Sequence, residues 1–287
     1  MQPIHRTTSA MGFILFLGLL SCSETFEPPS YLSDLRVLAI LASPRPASPG
    51  EEITVRAVLY VPPGETVTEE RWTFCPFSAG AASGYICLDP SCEVEVEASA
   101  DGSVRTKPHE LALACLARFE NQLLDGLPTT IPSTVEVLFR YRVATSSGQR
   151  REALLRYPLA TAPNAAPKQR DPVIREVQFD GTPLAPGHRT PPVATEGELE
   201  VTVDIDPDSL ERYQDEAGRE RRETPVVSFF STAGRFEANK AEGETATLRW
   251  KAEKLSATDE EAAIWIVVRD LRGGQAVAGP FLIPLIR

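Results

Sequence analysis

Gly197-Glu198-Leu199-Glu200-Val201-Thr202-Val203-Asp204-Ile205 alternates apolar and polar side chains without a break. A period of two marks a half-buried β-strand, because successive side chains point to opposite faces. Its opening repeats Gly50-Glu51-Glu52-Ile53-Thr54-Val55, after which Ala57, Leu59 and Val61 continue the alternation. In each half a shorter apolar strand precedes this stretch, Leu35–Ala42 in the first and Val173–Phe179 in the second, and proline-rich turns lie between. The chain reads as one plan used twice.

Working outward, Trp72 and Phe74, then Val135, Val137, Phe139, Tyr141 and Val143, then Ala153, Leu155, Tyr157 and Leu159 supply further strands of the first half. Val226–Ser231, Ala246/Leu248/Trp250, Ala263–Val268 and Val277–Ile286 do so in the second. About six or seven strands per half with alternating faces is the count of a β-sandwich. The 25 prolines fall mostly between apolar segments, as loops joining short strands require. The fold expected is therefore all-β, with tandem sandwiches at residues 34–160 and 173–287. The Pro/Ala-rich stretch 161–172 joins them as a linker.

Two segments break the strand pattern. Pro108–Gly126 has apolar residues at 111, 115, 116, 119 and 123 and reads as a helix, although Leu111-x-Leu113-x-Cys115 also suits a strand. Asp208–Glu216 reads as a short helical turn with Asp208 as N-cap. Cys75, Cys87, Cys92 and Cys115 all lie in the first half, around the partly helical insertion. An even set in an exported chain implies two disulfides, with three connectivities open. Pairing Cys87 with Cys92 around Asp89-Pro90, and Cys75 with Cys115, is the arrangement favoured here. Zinc is the alternative, but the set lacks a C-x₂-C knuckle and only His109 lies nearby.

Ser228-Phe229-Phe230-Ser231-Thr232-Ala233-Gly234-Arg235-Phe236 is similar to the strand–Gly–strand corner of bacterial immunoglobulin-like and PKD-like domains. In those domains a Trp often stands where Phe230 does. Ile264-Trp265-Ile266-Val267-Val268-Arg269-Asp270-Leu271-Arg272-Gly273-Gly274 resembles their penultimate strand and Asp-x-x-Gly-Gly turn. The glycines permit positive φ where the chain folds back. The resemblance covers residues 173–287 more fully than 34–160, and it implies architecture without activity.

The apolar run Met11–Leu20 follows Arg6 and spans about 15 Å as a helix, roughly half a bilayer core. It reads as a signal h-region. Leu19-Leu20-Ser21-Cys22 resembles the bacterial lipobox, with Leu20 larger than the family's usual residue. The resemblance implies cleavage of a 1–21 signal peptide, lipidation of Cys22 and a 22–33 lipidated tether. Ser23 after the cysteine implies outer-membrane sorting. The alternative is an ordinary secretory signal with Cys22 a spare thiol, but Cys22 accounts for the odd one of five cysteines. The first sandwich is then expected nearer the lipid. The whole plan is similar to that of lipoproteins from myxobacteria.

The net charge of −11 speaks against a nucleic-acid partner and against electrostatic binding to anionic lipid, leaving the membrane to the acyl anchor. Arg219-Glu220-Arg221-Arg222 reads as a solvated loop. No catalytic residue and no cofactor site is assigned. Gly80-Ala81-Ala82-Ser83-Gly84 has the wrong spacing for a nucleophile elbow, and P-loop, H-E-x-x-H and dinucleotide fingerprints are absent. Asp204, Asp206 and Asp208 are the calcium candidates, set against an acidic loop that caps a turn. As an EF-hand they fail, with Ser209 in place of glycine, Arg212 at position nine and Asp215 for the closing Glu. The expected role is a lipid-anchored, non-catalytic interaction or scaffold module that contacts an envelope protein or glycan. Its contact surface would be an edge strand or the insertion at 76–132. A surface hydrolase or glycan-acting enzyme and a passive spacer are the alternatives.

Overall fold

The computed structural model describes residues 29–117, 132–215, 217–253, 255–256 and 259–286. Cys22, the leader before it and positions 118–126 of the expected helix lie outside them. The first sandwich contains β1 (Arg36–Ser43), β2 (Ile53–Tyr60), β3 (Val67–Cys75), β4 (Val94–Val96), β5 (Val104–Thr106), α1 (Pro108–Leu116), β6 (Thr134–Thr145) and β7 (Arg150–Ala160). One sheet runs β1-β2-β5 and the facing sheet β4-β3-β6-β7.

The second begins with β8 (Ile174–Phe179), β9 (Thr182–Pro183), β10 (Val193–Ala194), β11 (Glu198–Ile205), β12 (Arg212–Gln214) and β13 (Glu220–Arg222). It continues with β14 (Val226–Ser231), β15 (Arg235–Phe236), β16 (Lys240–Glu242), β17 (Thr245–Lys251), β18 (Glu261–Arg269) and β19 (Gln275–Ile286). Its sheets run β15-β17-β11-β8-β9 and β10-β19-β18-β14-β16, with β12-β13 a separate hairpin.

The two halves share a strand order. β1, β2 and β5 face β3, β6 and β7 as β8, β11 and β17 face β14, β18 and β19, which is the immunoglobulin arrangement. In both, the chain leaves its first strand over prolines and then lies parallel to the last strand. Ala47 bridges Leu159 in the first sandwich, and β10 pairs with β19 in the second. Proline suits this crossover because it brings no N–H to a ladder it is leaving. The repeated Gly-Glu stretches lead into β2 and β11, the same position in each sandwich.

Inward residues of the alternating strands form two separate cores. Phe74, Phe139 and Tyr157 step across the first at centroid distances of 5.1 and 6.0 Å, over Ile53, Val55 and Val104. Trp250 centres the second among Phe229, Val201 and Ile266, and its indole donates to the Ala233 carbonyl at 3.0 Å. Gly234 turns the corner beside it with φ +68°, where a Cβ would stand 2.4 Å from the Trp250 ring. The core residue of β14 is Phe229 and not Phe230. One step along a strand reverses the face, and Phe230 points out of the sandwich.

The cysteines pair as Cys75–Cys87 and Cys92–Cys115, correcting the favoured arrangement. After β3 the chain folds straight back, with Leu88 N–H donating to Phe77 and Ser78 bridging Cys87, which brings Cys87 beside Cys75. Asp89 then caps a 3-10 turn, Pro90–Cys92, accepting from Ser91 N–H at 2.7 Å, and Cys92 turns inward to meet Cys115 on α1. Two other readings change. The turn after β11 is a 3-10 turn, Pro207–Ser209, capped by Asp206 and not Asp208. The Arg/Glu stretch expected as a loop is β13, a fully exposed hairpin strand.

Candidate functional site

The sandwiches meet along an extensive seam. β18 turns Ala262, Ile264, Ile266 and Val268 into its own core, so Trp265 and Val267 face the other way. There they pack with Leu38, Ala39 and Tyr60 of the first sandwich. Arg269 extends the contact, donating to the Leu38 carbonyl at 2.9 Å. Burial pushes its guanidinium below its ordinary pKa, and no carboxylate pairs with it among the described residues. A strap closes the seam from outside. Ser231 N–H donates to Ser30 and Leu32 N–H donates to Ser231, both at 2.9 Å, and Leu32 is buried. The first described residues therefore lie against the end of β14, at the seam.

A buried ionic cluster locks the linker into the same seam. Arg45, between two prolines in the first crossover, is 3% exposed and reaches Asp171 at 2.9 Å and Asp270 at 4.0 Å. Asp270 Oδ1 accepts from the N–H groups of Arg272 and Gly274 at 2.7 and 2.8 Å, fixing the Asp-x-x-Gly-Gly turn. Gly273 has φ +108°. Gly274 serves a different need: a Cβ there would lie 1.8 Å from Asp270 and 2.8 Å from the Arg45 guanidinium. The turn thus doubles as a receptor for an arginine of the other sandwich. Burial pushes the Asp171 carboxyl up against the pull of Arg45. Gln169 N–H donates to the Arg45 carbonyl and Lys168 bonds the Pro46 carbonyl, each at 2.7 Å, so the linker is held at several points.

Outside this cluster the sandwiches leave a cleft of about 1300 Å³. Its floor is the outer face of the β6–β7 pair, with Thr134, Glu136, Arg156 and Pro158. One wall is Tyr85 of the disulfide-closed insertion. The other is the Leu271–Gln275 turn with Gln169 and Gln214. Tyr85 and Leu271 have φ of +57° and +65°, costly for bulky side chains. They stand on opposite walls. Tyr85 is held there by its N–H bond to Gly80 at 2.9 Å and by Arg140 on its carbonyl at 3.1 Å. Strained residues of this kind concentrate where structure serves binding, and clefts between domains are favoured ligand sites.

The calcium candidates do not share this site. Asp204 accepts from the Thr245 hydroxyl at 2.8 Å, while Asp206 caps its turn and pairs with Arg175 at 3.0 Å. Asp208 bonds the same cap through its N–H. Among the described residues no three metal-ligating side chains converge. His109 contacts the Ala160 carbonyl at 2.8 Å and is not among the residues that line the cleft. Sequence reasoning missed Arg45, Asp171, Tyr85 and the strap. An arginine framed by two prolines, Pro44-Arg45-Pro46, was the available signal.

No family model matches the chain, and no curated protein matches it. Among solved structures, the D00-D0 domain of intimin matches over 88% of this chain and 99% of its own, with 8% identity and a TM-score of 0.25. Fibronectin(III)-like modules of Clostridium thermocellum CbhA match over 85% and 95%, with 10% identity and a TM-score of 0.23. Tandem Ig repeats of Dlar match over 86% and 97%, with 11% identity and a TM-score of 0.27. Likeness at this level carries no argument for the chain, and the immunoglobulin-like assignment rests on its own strand order.

Proposed function

We propose that this is a lipid-anchored envelope protein, attached to the outer membrane through Cys22. It acts as a non-catalytic interaction module, and the cleft between its sandwiches is the contact surface. The observation that carries the reading is the seam. A buried arginine, an aromatic contact and a strap fix two sandwiches around one cleft, an investment that a passive spacer does not need. Two disulfides suit an oxidising compartment, in keeping with export. Glu136 is the one carboxylate among the described lining residues, and it pairs with Arg156 at 3.4 Å. Hydrolysis of a glycoside needs two facing carboxyl groups, so the lining favours binding over hydrolysis.

Two measurements test the reading. Metabolic labelling with palmitate should mark the wild-type chain and spare Cys22→Ala; label on the variant would remove the anchor from the proposal. A photocrosslinker installed at Gln214 in native membranes should capture an envelope component reproducibly. A crosslinker at Arg249, on the exposed outer face of the β11–β17 pair, should not. Equal capture at both sites would overturn the cleft as contact surface.

A further inference from the structure

We propose that the cleft binds a neutral saccharide chain, an inference that rests on reading the protein as an interaction module. The floor is the face of a sheet and not its edge. The β6–β7 main chain there is already paired with itself, so a ligand must be gripped by side chains. A peptide adding as a strand would find no open ladder on this floor.

The side chains on offer are amides. Gln169, Gln214 and Gln275 come from the linker, β12 and β19, and converge on the cleft from three elements. None of the three side-chain amides bonds a described residue. The Gln169 Oε1 is shut off from solvent with no partner. An oxygen that water cannot reach is out of a ligand's reach as well, so Gln214 and Gln275 are the amides left to grip one. An amide offers both donors and an acceptor, the combination that matches a hydroxyl, which also does both.

The charges argue for a neutral ligand. Arg156 is matched by Glu136, and Arg272 by Glu223 at 2.9 Å, in a chain of net charge −11. The third arginine of the lining, Arg269, has no carboxylate partner among the described residues and commits its guanidinium to the Leu38 carbonyl at 2.9 Å. The cleft therefore has little pull on an anion. Tyr85 and Leu271, the latter 73% exposed, set apolar surface on the two walls, suited to the C–H faces of sugar rings. The volume exceeds the roughly 300–1,000 Å³ of single small-molecule pockets, which suits an oligomer more than a monosaccharide.

The test is calorimetry on the full chain in detergent. Its probes are neutral hexasaccharides of the cello-, chito-, malto- and manno-series, an oligogalacturonate of equal length and a polar hexapeptide. At least one neutral hexasaccharide is expected to bind, more tightly than its disaccharide and than the acidic oligomer or the peptide. The double variant Gln214→Ala/Gln275→Ala, with an unchanged melting temperature, should weaken that binding at least about tenfold. Preference for the peptide or the galacturonate, unchanged affinity in the double variant, or no binding of any neutral series would overturn the saccharide. If saccharides fail while the Gln214 crosslinker still captures one envelope protein reproducibly, the interaction-module reading stands without this ligand. If both fail, the two fall together.

Discussion

The ring of Tyr60 stands edge-on to that of Trp265 across the seam, with centroids 5.4 Å apart and planes inclined at 71°. The pair belongs to a small apolar cluster with Leu38, Ala39 and Val267 that neither sandwich owns alone. Trp265→Ala should cost about 2–3 kcal/mol, the range of a large aromatic truncated at a partly covered site. Its distinguishing result lies in the shape of unfolding. Calorimetry should show one transition for the wild type and two for the variant, as the sandwiches lose their common contact.

Arg45 is the buried ion most exposed to mutation. Arg45→Met leaves Asp270, 2% exposed at its side chain, without its countercharge, and should destabilise by about 3 kcal/mol. Adding Asp171→Asn and Asp270→Asn should recover more than half of that loss, because the uncompensated charges are then gone. Urea midpoints at constant slope measure both steps.

Peptide mapping without reduction should recover Cys75 linked to Cys87 and Cys92 linked to Cys115. Replacing either pair with serine should lower stability by about 2–4 kcal/mol. Loss of Cys92–Cys115 should free α1 to protease before any strand is cut, since this bond ties the helix to the insertion.

Stability should respond to acid in two stages of opposite sign. Burial pushes the Asp171 and Glu223 carboxyls up, against Arg45 in one case and against the Glu211 N–H and Arg272 in the other. The folded chain therefore takes up these protons more readily than the unfolded chain, and stability rises as pH falls through that window. Glu152 behaves oppositely: burial works upward, but hydrogen bonds from Arg142 and Arg140 overcome it and hold the carboxyl low. The Asp208 N–H and Arg175 likewise hold Asp206 low. Their contributions are present above the unfolded carboxylate range and lost as pH falls through the folded values. Urea midpoints should hold or increase from pH 7 to about 5 and fall below about pH 4. Asp171→Asn should reduce the first change and leave the second.

The sandwiches were legible because alternation is a local property. Leu199, Val201, Val203 and Ile205 face one core, and nothing outside that strand is needed to see it. The seam was harder to read, although its trace was present. Ile264-Trp265-Ile266-Val267-Val268 and Val37-Leu38-Ala39-Ile40-Leu41 are unbroken apolar runs, as strands covered on both faces require. Each reads as a strand, and nothing local names what covers its second face. The disulfide pairing and the cleft depend on a hairpin after β3 and on where the linker lies, and no periodicity encodes either. Gly274 shows the limit well. Its sequence context suggests a flexible turn, whereas the constraint is an arginine arriving from more than two hundred positions earlier.

The strap at Ser30–Leu32 also spreads a load over both sandwiches. Tension drawn along the chain from its amino-terminal side meets Ser231, through two main-chain hydrogen bonds, and Arg36 of β1, which donates to the Pro29 carbonyl. Only the first sandwich follows next in sequence, yet the second stands in the line of force as well. Until that short clasp peels away, part of the pull is carried by the body that is later in the chain.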